Sequence, residues 1–144
     1  MLALGSLLFS NFDVIGITND PMPTVSVGQP LTSGGLTLFS FDPNEAGNFD
    51  VDVYFEVSVM SGGLLNGIDL TVGGNLASVS ERVCTATILG NPGNICSPTG
   101  QQLASLSNES GNPTVTVPLA VPVANIFIFK DVGTQPGGSL STVS

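Results

Sequence analysis

Polar and apolar residues alternate one for one through "FDVDVYFEVSV". Phe49, Val51, Val53, Phe55, Val57 and Val59 share one parity, while Asp50, Asp52, Tyr54, Glu56 and Ser58 share the other. A β-strand turns successive side chains to opposite faces, so the first set is expected in a core and the second in solvent. "VANIFIFKDV" departs from this pattern, with Ile126 and Ile128 on one side and Phe127 and Phe129 on the other. Apolar residues on both faces predict a central or doubly covered strand.

The same reasoning predicts strands at Phe12–Thr18, Thr24–Gln29, Gly35–Phe41, Gly67–Val72, Ala77–Ile88, Gln102–Leu106, Thr114–Leu119 and Ser139–Ser144. Between them lie "NDPMP", "DPNEAGN", "SGG", "VGG", "GNPGN", "NESGNP" and "TQPGG", each supplying the Gly, Pro, Asn or Asp that a tight turn requires. No window holds apolar residues at i, i+3, i+4 and i+7 free of Gly and Pro, so no helix is predicted. The pattern gives an all-β chain of about nine to ten strands, folded as an antiparallel two-sheet β-sandwich of jelly-roll or Ig-like type. No repeat of fixed period points to a solenoid or propeller.

Length agrees with a single domain. A chain of 144 residues buries roughly 70% of the surface exposed by its unfolded form. The domain is assigned to residues 12–144, preceded by an apolar segment at 1–11, "MLALGSLLFSN". That segment is too short to span a bilayer, which takes about 20 apolar residues. It reads as the remnant of a secretory signal or as a first strand, one that a neighbouring copy could accept by β-augmentation.

Charge narrows the partners. Arg82 and Lys130 are the only cations against 11 carboxylates, for a net charge of −9. Nucleic acid is excluded as a partner, because neutralising phosphates takes a basic surface. An anionic membrane would repel the chain, and no direct membrane insertion is expected.

Both cysteines, Cys84 and Cys96, flank "TATILGNPGNI". A zinc site takes about four Cys or His ligands, whereas this chain has two Cys and no His. Their spacing does not match a Cys-x-x-Cys redox motif either. What remains is one disulfide or two free thiols. A strand, a Gly/Pro/Asn turn and a return would bring the two Cα atoms within bridging range, so the pair is read as a disulfide. That reading places the protein in an oxidising compartment, outside the cell or on its surface.

Without histidine there is no Ser-His-Asp triad and no Cys-His pair. Asp50, Asp52 and Glu56 would be the carboxylates for glycoside hydrolysis, but an outward acidic stripe reads first as a solvated face. The chain is therefore expected to be non-enzymatic and to need no cofactor, with calcium as the one candidate ion. "DPNEAG" opens like an EF-hand loop, yet Ala46 and Val53 stand where oxygen ligands belong, leaving Asp42, Glu45 and Asp50 as candidates for a calcium site of another kind. Lys130 shares the parity of Ile126 and Ile128, so if that face is inward its ammonium must be paired. It is also the candidate for an intramolecular isopeptide bond to an Asn, with a carboxylate such as Glu56 assisting. Asn108-Glu109-Ser110 matches the N-glycosylation acceptor pattern.

Two segments, "SVSERVCTATILGNPGNICSPTGQQLASLS" and "VANIFIFKDVGTQPGGSLSTVS", resemble bacterial exported proteins of the PEP-CTERM type. The resemblance covers about residues 64–144. In that family a Val-Pro-Glu-Pro signal, a hydrophobic helix and a basic tail follow such a domain. None of these occurs up to Ser144, so the likeness is to the ectodomain without its sorting signal. It implies a secreted or cell-surface protein associated with extracellular polysaccharide or biofilm, with no catalytic residues to carry over. The expected role is a structural component of a surface or matrix, with a carbohydrate- or calcium-binding module and a self-assembling filament subunit as alternatives.

Overall fold

The computed structural model describes residues 2–4, 6–16, 25–27, 39–41, 50–89 and 95–143. Twelve strands lie among them, and no helix. In chain order these are β1 (Leu2–Leu4), β2 (Leu7–Gly16), β3 (Val25–Val27), β4 (Phe39–Phe41), β5 (Asp50–Val59), β6 (Leu65–Leu70), β7 (Val72–Cys84), β8 (Ile88–Leu89), β9 (Ile95–Cys96), β10 (Gln102–Glu109), β11 (Val115–Val123) and β12 (Asn125–Val143).

Every pairing is antiparallel. Eight strands form one sheet, in which β1, β2, β5, β12, β7 and β10 lie side by side. β4 and β3 continue from the far end of β12. A second layer is the two-stranded sheet of β6 and β11, and β8 with β9 makes a small third pair. The all-β sandwich predicted by the alternation is what forms. Short strands account for the difference from the predicted count, because two or three residues are too few to establish a period in the sequence.

The core fills the space between the large sheet and β6–β11. Val51, Val53, Phe55 and Val57 of β5 meet Ile126, Ile128 and Val132 of β12, Val79 and Val83 of β7, and Leu70 and Leu119 of the second layer. β2 contributes through a bulge at Asn11, whose φ is +54°. The extra residue turns Phe9 and Phe12, three apart, toward the same core, and Phe12 stacks on Phe55 at 5.6 Å.

Two predicted turns are instead inside strands. "TQPGG" does not separate Ser139–Ser144 from the strand before it. Four residues, 135–138, lie opposite the single Leu76, and β12 continues beyond them to Val143. "VGG" likewise lies inside β7. Gly74 holds φ +128° there, with no space for a Cβ, which would stand 2.2 Å from the Ser139 carbonyl oxygen. The flexible residues that the sequence displays are used to bulge a long strand pair rather than to end it.

Candidate binding face

The large sheet has a second face, opposite the main core, and register decides what assembles on it. Across β5, β12, β7 and β10, one row reads Tyr54, Phe129, Arg82 and Ser105; the next reads Asp52, Asp131, Ser80 and Ser107; the third reads Asp50, Gly133, Ser78 and Glu109. The face is apolar at one end and acidic and hydroxylated at the other.

The apolar end is covered. Tyr54 and Phe129 pack with ring centroids 5.0 Å apart. Ile88, Cys96 and Cys84 close over them together with Phe127. Cys84 and Cys96 form the expected disulfide, with Cα atoms 5.6 Å apart, and it ties β9 to the end of β7. β12 is therefore covered on both faces, as its sequence predicts.

Burial on this face corrects the expectation that Asp50, Asp52, Tyr54, Glu56 and Ser58 form a solvated stripe. Asp52 is only 7% exposed, and Tyr54 is half-buried beside it. Asp52, Asp50 and Asp131 offer carboxylate oxygens that all lie within 4.8 Å of one another. Burial, then the charge of Asp50, raises the Asp52 pKa, opposed by a hydrogen bond from Tyr54. Burial and the neighbouring Asp52 charge push the Tyr54 hydroxyl up to about 12. Asp131 is raised to about 6, first by burial and then by a hydrogen bond with Asp50.

Beside the cluster opens a cleft of about 910 Å³. Asp50, Ser78, Ser80, Ser107, Glu109, Asp131, Thr134 and Gln135 line it from the sheet, and Asn112, Pro113 and Thr114 from the loop after β10. The bulge in β12 brings Gln135 to the rim. Among the described residues, no aromatic ring and neither of the two cations lines this cleft.

The remaining predicted residues fall elsewhere. Asp42 and Glu45 lie outside the described residues, so of the three calcium candidates Asp50 alone is placed, and its companions are Asp52 and Asp131. Lys130 faces the main core, 1% exposed, with Nζ donating to Glu81 Oε2 at 2.6 Å. Burial raises the Glu81 pKa, countered by Lys130. Glu56 shares the face of Phe127, the side of β5 opposite Lys130. Asn108 is buried, not a free acceptor for a glycan. Its Nδ2 donates to the Leu70 and Pro113 carbonyls at 2.9 and 3.0 Å, and its Oδ1 accepts from the Glu109 N–H.

Asp131 and Glu81 were not among the predicted site residues. Glu81 was legible, since in "SVSERVC" it shares the parity of Val79 and Val83. Asp131 sits on the parity of Phe129, but joining it to Asp50 and Asp52 takes the β5–β12 register.

No family model matches the chain, and no curated protein matches it. Among solved structures it is similar to TmCBM61, determined in complex with β-1,4-galactotriose, with 15% identity and a TM-score of 0.49 over 94% of this chain and 85% of that one.

Proposed function

We propose that this domain is a non-enzymatic extracellular module whose cleft holds a hydroxyl-rich polysaccharide, in the surface or matrix setting implied by the sequence resemblance. The observation that carries the reading is the lining of the cleft. Ser78, Ser80, Ser107, Asn112, Thr114, Thr134 and Gln135 mix donors and acceptors, beside carboxylates that only accept. A sugar chain presents the complementary mixture of hydroxyls along an extended surface. An anionic polymer would meet the acidic cluster unfavourably, so the ligand is neutral.

The Cys84–Cys96 disulfide supports an oxidising location.

The test is affinity electrophoresis and calorimetry against a panel of neutral polysaccharides, with the wild type and a Ser78→Ala/Ser107→Ala variant. Both serines are exposed, so the fold is expected to survive. Each lost hydrogen bond is worth about 0.5–1.5 kcal/mol, so the double variant should bind roughly fivefold or more weakly. Equal retention of both proteins, or of neither, would overturn the cleft as the site.

A further inference from the structure

Two oxygens on the second face have no partner. Asp50 Oδ1 and Asp52 Oδ1 are out of contact with solvent and accept no hydrogen bond. Asp52 is more than nine-tenths buried, held from one side by the Tyr54 hydroxyl. A buried carboxylate oxygen without a donor is costly, and native proteins leave very few. In register Arg82 stands opposite Phe129, one row from the cluster. Orphaned carboxylate oxygens gathered this closely are satisfied by a positive charge that several of them share.

We infer that Asp50, Asp52 and Asp131 form a binding site for a calcium ion at the edge of the cleft. Calcium takes oxygen ligands at about 2.3–2.6 Å, so two oxygens on one ion stand at most about 5 Å apart, and these three carboxylates meet that limit. The donors are all hard oxygens. The chain has no histidine and both cysteines are in the disulfide, which excludes a soft-metal site here. Magnesium is usually held by one or two carboxylates, and three favour calcium. Asp50 and Asp131 also line the cleft, so water or ligand hydroxyls there would complete the shell. This site does not depend on the polysaccharide reading, since an ion would bind with the cleft empty.

The sequence supplies a built-in reporter. Tyr54 is the sole tyrosine, the chain has no tryptophan, and the Tyr54 hydroxyl is bonded to Asp52. Terbium, an oxygen-seeking stand-in for calcium, luminesces when an aromatic ring a few ångströms away is excited. Titrating chelator-treated full-length protein with terbium, without any glycan, should give saturable emission on tyrosine excitation. Calcium should displace it at concentrations at least tenfold lower than magnesium requires. Asp131→Asn should weaken terbium binding tenfold or more while keeping the circular dichroism of the fold. Tyr54→Phe should lose the emission but keep a calcium-dependent rise in melting temperature. Absence of emission in the wild type, emission unchanged by Asp131→Asn, or equal displacement by magnesium would each overturn the assignment.

Discussion

Lys130 and Glu81 meet inside the apolar core, each almost fully buried, at 2.6 Å. Taking two charges out of water costs several kcal/mol per ion, and their attraction roughly offsets this as long as both remain. Lys130→Met alone should therefore cost roughly 3–5 kcal/mol, because it strands the Glu81 carboxylate. Adding Glu81→Leu should recover most of that loss, with urea denaturation of the four-member double-mutant cycle as the measurement. A second residue-scale expectation concerns the acidic cluster without divalent ions. Asp131→Asn replaces a repelling carboxylate by an amide with a permanent N–H donor for Asp50. In chelator the variant should be more stable by about 1 kcal/mol, read as a higher urea midpoint, while losing its response to calcium. Parity shows where Lys130 and Glu81 point. It does not show that Asp52, with the parity of a solvated stripe, is buried, because the strands on either side of it, β2 and β12, come from distant parts of the sequence.

At the scale of elements, the β8–β9 pair acts as a lid fixed by one covalent bond. It buries Phe129 and half-buries Tyr54. Removing the bridge by Cys84→Ala/Cys96→Ala should cost about 3 kcal/mol in the loop-entropy model and expose the aromatic pair, seen as a lower urea midpoint with increased quenching of tyrosine fluorescence by added acrylamide. The bulged pairing of β12 with β7 should be equally sensitive. At Gly74 a methyl group has no space against the Ser139 carbonyl and the backbone angle disfavours any side chain. Gly74→Ala should destabilise by about 1–3 kcal/mol, whereas an alanine at Gly111, where nothing lies within 4 Å of the added carbon, meets only the backbone penalty. Both glycines look alike in the sequence. What separates them is the strand lying across Gly74.

For the whole molecule, the N-terminal segment is paired within its own chain. Leu2–Leu4 pairs with Leu7–Phe9, Leu7–Phe9 pairs with Val57–Val59, and Phe9 is buried in the main core. A protein beginning at Asn11 should expose part of the β5 edge and the contacts of Phe9. Light scattering over a concentration series is expected to show the shortened chain associating more than the full one, since a bare strand edge invites pairing. The opposite order, assembly of the full chain alone, would favour the donor-strand reading of residues 1–11.

The sequence by itself determined the local and one-dimensional features. Alternation selected strands, parity assigned Val51–Val57 and Ile126–Val132 to the core, turn residues excluded helices, and the spacing of Cys84 and Cys96 permitted a bridge. These follow from the two-residue period of a strand and from chain reach, neither of which depends on distant residues. The tertiary structure alone decided which strands neighbour one another, and hence that Asp131 stands across from Asp52 and that Ser78, Ser80 and Ser107 share a wall. It also turned "TQPGG" from a turn into a bulge that delivers Gln135 to the cleft. Register is a long-range choice among many possible strand pairings, made by burial of the whole core, and no short stretch of residues encodes it.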